Sequence, residues 1–286
     1  MTGRPAVQRV DAHHHVWDLA VRDQPWTADL PPLRRSFDLR ELRPQLAAHG
    51  IDATVVVQTV TAPEETPELL ALTAEAPVVG VVGWVDLSAP DVADRLAELR
   101  GMGGGGTLVG IRHQVQEEAD PRWLCRPDVR RGLSVLADAD LAYDLLIVPH
   151  QLPAAVETTR ALPGLRFVLD HAGKPAIADG ALEPWRGDIW ALAASPNVAV
   201  KLSGLVTEAD HQAWTTDDLR RYADVLIESF GAHRMMFGSD WPVCLLAAGY
   251  SEVVAAAEEL VAGLSPAEWA RVFGGTAARW YRLEPQ

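Results

Sequence analysis

Eight short apolar runs, each followed by a stretch with helical character, constrain this chain more than any other feature of its sequence. They cover residues 7–10, 54–58, 78–85, 108–112, 142–147, 166–169, 198–201 and 234–237. Helical patterns are predicted over 38–49, 63–76, 91–100, 128–139, 151–162, 183–194, 217–230, 251–262 and 266–281, the last opening on the capping-box sequence Ser265-Pro266-Ala267-Glu268. Most of the runs are apolar throughout, without polar alternation, the pattern of strands buried on both faces of an all-parallel sheet. Eight such units in 286 residues, with no composition break between them, predict a single α/β domain over residues 1–286, a (β/α)8 TIM-like barrel. A doubly wound open sheet is the alternative, but no G-x-G-x-x-G follows any strand. The glycine run at 101–106 precedes a strand and lacks the Gly-Lys-Ser/Thr of a phosphate loop, so it reads as a helix-to-strand turn.

Composition narrows the partners. A formal net charge of −14 argues against nucleic acid and anionic membrane, both of which call for a basic face. No apolar run reaches the roughly 18 residues of a membrane span, and residues 1–10 lack the apolar centre of a signal peptide. The two cysteines, Cys125 and Cys244, form no C-x-x-C and argue against a disulfide framework, which fits a cytoplasmic enzyme. The long connection at 19–37, rich in Pro and Arg and carrying Trp26, exceeds ordinary loop lengths and points to a functional role.

A barrel enzyme places its chemistry at the C-terminal ends of its strands. The polar residues expected there are His13 and His15, Gln58, Asp86, Arg112 with His113, Asp144, His171, Lys201 and Asp240. His13 and His15 fall on one strand face, so two imidazoles can share a metal or line a pocket floor. Each group alone has an ordinary structural explanation; their joint placement is the signal. Asp240 suits the role of a base toward water, with help from a metal, from burial or from an electrophilic substrate. Arg112, Lys201 and His171 are donors suited to oxyanion charge and to substrate hydroxyl or carboxylate groups.

Five stretches carry a resemblance to a known family: Asp11-Ala12-His13-His14-His15-Val16-Trp17-Asp18, Gly110-Ile111-Arg112-His113-Gln114, Val168-Leu169-Asp170-His171-Ala172-Gly173-Lys174-Pro175, Lys201-Leu202-Ser203-Gly204, and Phe237-Gly238-Ser239-Asp240-Trp241-Pro242-Val243-Cys244. The chain resembles the amidohydrolase superfamily, in the lactone-hydrolysing branch that contains L-fuconolactonase, L-rhamnonolactonase and 2-pyrone-4,6-dicarboxylate lactonase. The resemblance implies an amidohydrolase-type barrel and water attack on a lactone carbonyl, most simply that of a small sugar lactone. Asp240 would be the general base, with His171 and Arg112 polarising the carbonyl. His113, Asp144 and Lys201 would serve the substrate, and Trp26 and Trp241 are placed to stack on a sugar-like ring. His13 and His15 match the superfamily's metal-ligand motif. Arg112 and Asp144 stand where metal-rich members carry a modified lysine and a histidine, which disfavours a two-metal site. One divalent ion, zinc or manganese, on His13, His15 and Asp240, with or without His171, fits the pattern, and so does metal-free turnover. A metal-dependent decarboxylase of the same superfamily, acting on an unsaturated carboxylate, is the rival reading. A homo-oligomer is compatible with the sequence, which does not set the oligomeric state.

Overall fold

The computed structural model describes residues 9–283. Eight parallel strands follow one another around the sheet in chain order: β1 (Val10–His14), β2 (Ala53–Val57), β3 (Val78–Gly83), β4 (Leu108–His113), β5 (Ala142–Leu145), β6 (Arg166–Leu169), β7 (Val198–Leu202) and β8 (Met235–Phe237). The expected start of the first strand, at Val7, lies outside the described residues; the strand itself begins at Val10. The sheet closes beyond the end of β8, where His15 N donates to Trp241 O at 2.7 Å and Asp240 N donates to His13 O at 2.8 Å. The result is the TIM-like barrel expected from the eight runs.

Helices α1 (Leu39–Ala48), α2 (Glu65–Leu72), α3 (Val92–Gly101), α4 (Pro127–Asp138), α5 (Leu152–Ala161), α6 (Trp185–Ala193), α7 (Thr216–Phe230) and α8 (Tyr250–Leu260) cover the outer face. The helix expected over 266–281 is broken. It splits into α9 (Pro266–Ala270), a π-helical turn at Arg271–Gly275 and α10 (Thr276–Trp280), with Gly274 at ψ −51° and φ 175°. Adjacent glycines at 274 and 275 weaken the helical backbone there, and the break lets α10 swing under the barrel. Trp280 Nε1 then donates to Phe167 O at 3.0 Å, and Tyr281 reaches into the interior. The glycine run at 101–106 is the expected turn between α3 and β4, with Gly104 at φ +79°.

Alternation along the strands stacks the barrel interior in layers. Ala142, Val168 and Ala199 form an apolar layer with Val10, Ala12 and Tyr281. Two residues further along the same strands, Asp144, Asp170 and Lys201 make a charged layer above it, all fully buried. β1 departs from strict alternation. Asp11 pairs with Thr54 but His14 pairs with Val56, so β1 carries one extra residue between them. That bulge turns His13 and His15 inward on a strand whose Val10 and Ala12 already faced the interior.

Candidate active site

The side chains that face one another above the charged layer come from both edges of the barrel seam. His13 Nε2 and His15 Nε2 lie 3.1 Å apart, and Asp240 Oδ1 is 3.7 Å from the first and 3.5 Å from the second. His171 Nε2 stands 3.9 Å from the same carboxylate oxygen. Asp240 is in the left-handed region at φ 57°, which aims its carboxylate back over β1. Asp11 secures this arrangement: its Oδ1 accepts from His13 N at 3.1 Å and Ser239 N at 2.9 Å, and its Oδ2 accepts from Tyr250 OH at 3.1 Å. At Gly238 a Cβ would stand 2.6 Å from His13 Cβ, so only glycine lets the two strands approach this closely.

Electrostatics keep the imidazoles neutral. Burial lowers His13 well below its ordinary value, lowers His15, and takes His171 down to about 4. For Asp240, burial pulls upward, but the groups beside it, His171 first, outweigh burial and hold the carboxyl below its usual value. His15 Nδ1 lies 2.7 Å from Val57 O, an acceptor, so Nδ1 carries the proton and Nε2 presents a bare lone pair to the site. His13 Nδ1 lies 3.4 Å from Asp170 Oδ1 and 3.0 Å from Lys201 Nζ, while its Nε2 is 3.3 Å from Arg112 Nη1.

These donors suit a metal. A tetrahedral zinc ion separates its ligand atoms by about 3.3 Å, and two neutral imidazoles with one carboxylate are an ordinary zinc donor set. The separations of 3.1, 3.5 and 3.7 Å bracket that value. At the back of the His13 ring, Nδ1 faces the Lys201 ammonium at 3.0 Å and Asp170 Oδ1 at 3.4 Å, which fix the orientation of the ring. The residues present therefore fit one divalent cation on His13, His15 and Asp240.

Two of the three ligand candidates, His15 and Asp240, open onto a cavity of about 230 Å³, with His13 buried behind them. His15, Arg112, His171 and Asp240 form its floor, and Trp26 and Leu30 of the long first loop overhang it. Trp26 is held by Nε1 donating to Gln24 Oε1 at 2.8 Å and by edge-on contact with Trp17 at 5.5 Å. A larger cavity of about 380 Å³ lies beside α2, lined by Trp17, Val21, Phe37 and Leu69, and none of the strand-end groups named above reaches it.

Four residues expected to meet substrate do not line the cavity. Lys201 and Asp144 lie one layer below it: Lys201 Nζ binds Asp144 Oδ2 at 2.6 Å and Asp170 Oδ1 at 2.8 Å, and Tyr281 OH donates to Asp144 Oδ2 at 2.7 Å. Burial pushes Asp144 up to about 6, whereas Lys201 and His13 overcome burial at Asp170 and hold it well below the carboxylate range. His113 is stacked on Trp123 with centroids 4.3 Å apart and sits 2.8 Å from Glu118. Trp241 is buried against Phe37. Arg112 does reach the floor, but its donors are committed: Nε and Nη2 to Gln58, Nη1 to Asp170 and His13.

Sequence reasoning passed over Lys174 and Glu208, which line the cavity wall with Nζ and Oε1 3.6 Å apart. The signal available was Gly173, whose φ of +68° belongs to a left-handed turn running from His171 to Lys174. His171, Ala172 and Lys174 hold φ of 50, 54 and 53°, a cost of about 1–2 kcal/mol for each side-chain-bearing residue. Trp185 Nε1 donates to Ala172 O at 2.8 Å, and Gly204 leaves the room His171 needs, since a Cβ there would lie 2.5 Å from its Nδ1.

A family model described as amidohydrolase matches residues 10–283. An L-fucono-1,5-lactonase of Burkholderia multivorans is 43% identical over 96% of each chain, and one of Burkholderia ambifaria is 39% identical over the same shares. The crystal structure of an amidohydrolase from Burkholderia multivorans with bound zinc superposes with a TM-score of 0.91 at 43% identity, covering 97% of this chain and 100% of that one.

Proposed function

The chain belongs to the amidohydrolase family, and from that premise we propose that it opens a sugar lactone, in the class of L-fucono-1,5-lactone, by Asp240-assisted attack of water on the lactone carbonyl. One observation carries the reading: a buried, ionised Asp240 faces neutral His13, His15 and His171 at the floor of a cavity of about 230 Å³. The activity named for the two Burkholderia relatives is the one this constellation suits, and no feature of the site favours decarboxylation over it.

All three imidazole contacts involve Asp240 Oδ1, so Oδ2 remains for a proton. As the oxygen of water bonds to the carbonyl carbon, Asp240 takes one of its protons. Collapse of the tetrahedral intermediate breaks the bond to the ring oxygen, and Asp240 returns that proton to the departing oxygen. His171 Nδ1 lies 3.0 Å from Ser203 Oγ; with the hydroxyl donating, Nε2 keeps its hydrogen and donates a hydrogen bond to the carbonyl oxygen as negative charge develops there. Arg112 contributes positive potential at the floor without a free hydrogen bond of its own. His13, His15 and Asp240 would hold a divalent ion, which when bound would supply Lewis acidity toward the carbonyl and toward water. An aspartate ionised at neutral pH is a weak base toward water, and a bound metal would lessen what is asked of it, with zinc first and manganese second.

The test is hydrolysis of L-fucono-1,5-lactone and other aldono-lactones, followed by proton release with spontaneous opening subtracted. Rapid turnover of a sugar lactone is expected. No turnover of any lactone by protein supplied with zinc or manganese would remove the reading.

A further inference from the structure

The left-handed turn after β6 does more than place His171. It makes one tight turn, with Lys174 N donating to His171 O at 2.8 Å. A turn closed by such a bond has three residues per revolution, so residues 171 and 174 share a side, and both side chains line the same cavity. A strained backbone that delivers two polar side chains to one cavity marks both for function.

Lys174 and Glu208 are polar groups that the proposed chemistry leaves unused. Their side chains are 25% and 24% exposed, sunk in the wall but open to the cavity. At 3.6 Å they attract one another without forming a hydrogen bond, and among the described residues neither side chain makes one elsewhere. An ammonium carries three donors and a carboxylate about four acceptor sites, so the pair has spare capacity of both kinds. Arg112, by contrast, spends its donors on Gln58, Asp170 and His13. Adjacent ring hydroxyls both donate and accept, and a donor–acceptor pair at a cavity wall is complementary to them. An unsubstituted lactone ring offers such a pair nothing.

We propose that Lys174 and Glu208 bind ring hydroxyls of the lactone and so make the enzyme selective for polyhydroxylated rings, with no part in the bond-making step. This rests on the lactonase reading. It assigns the pair to specificity, whereas the reaction itself stays with Asp240 and His171.

The experiment compares kcat/KM for L-fucono-1,5-lactone and for δ-valerolactone, which has the six-membered lactone ring without hydroxyls, in wild type, Lys174→Met and Glu208→Gln. For each variant the sugar lactone is expected to lose about ten- to a hundredfold, as for a hydrogen bond to a charged group. Turnover of δ-valerolactone is expected to stay close to that of the wild type, which also reports that the variants are folded. The double variant should lose less than the product of the two single losses, because the two residues serve the same hydroxyls. Equal loss on both substrates would overturn the proposal by placing Lys174 at the reacting carbonyl, and undiminished sugar turnover would overturn it by making the pair structural. Wild-type protein inert toward both lactones would remove the lactonase reading itself, and this one with it.

Discussion

Asp240 and His13 are joined through their backbones: the amide of Asp240 donates to the carbonyl of His13 at 2.8 Å, across the seam that closes the barrel. Base and first metal-ligand candidate are thus fixed to each other by main chain, and side-chain freedom adds little play. Asp11 ties the same two segments a second time, through His13 N and Ser239 N. A site built on rigid strands in this way holds its geometry when one side chain is changed.

That rigidity makes Asp240→Asn a clean test of the base. The amide keeps the shape of the carboxylate but cannot accept the proton from water. Turnover of the sugar lactone should fall by about 10²–10⁴-fold or more, since the same residue is also a candidate metal ligand. Circular dichroism and thermal unfolding should stay close to the wild type. Retained activity would move the base to His171.

Metal dependence has its own readout. Protein treated with a chelator and dialysed should lose sugar-lactone turnover and regain it on addition of about one equivalent of zinc. His15→Ala should leave zinc content well below one per chain by elemental analysis, because His15 presents a bare Nε2 to the site. Full activity in chelated protein whose zinc content is negligible would show that Asp240 works without the ion.

Much of this architecture was legible in the sequence, for identifiable reasons. Strands buried on both faces leave continuous apolar runs, and the eight runs appear as eight strands. Asp240, His13, His15, Arg112 and His171 stand out in the sequence as candidates because they end those runs. What the sequence hid was depth. One strand residue is about 3.3 Å of rise, so whether Lys201 reaches the cavity or lies in the layer below it depends on strand register and tilt. The extra residue in β1 and the left-handed path from His171 to Lys174 were hidden too. Each is a backbone conformation, and only glycines such as Gly173 and Gly204 hint at it. Glu208 ends a single 3-10 turn, Val206–Glu208, after β7, too short for any periodicity to place it.

The depth of Lys201 yields a stability prediction. It is fully buried between Asp144 and Asp170, and the network with Arg112 balances two positive and two negative charges. Lys201→Met removes one positive charge and strands a carboxylate in the barrel interior. Breaking a buried pair from one side costs about 3–5 kcal/mol, and chemical denaturation at neutral pH should report a loss of that order. A change below about 1 kcal/mol would mean that water reaches this layer.

His14 faces away from the active site, with Nε2 2.9 Å from Thr54 Oγ1, and burial takes it down to about 3 from an ordinary 6.5. The sign of the pH effect follows from proton counting. Between pH 6.5 and about 3 the unfolded chain protonates this imidazole and the folded chain does not, so the unfolded state binds the extra proton. Stability from His14 is complete above pH 6.5 and is lost as pH falls through that window, by about 1.4 kcal/mol per pH unit. Metal-free wild type and His14→Gln, unfolded by urea at pH 7 and pH 5, isolate this contribution. The wild type should lose more stability than the variant by about 2 kcal/mol over that interval, because the glutamine does not titrate. Parallel losses in the two proteins would mean that folded His14 takes up its proton at an ordinary pH.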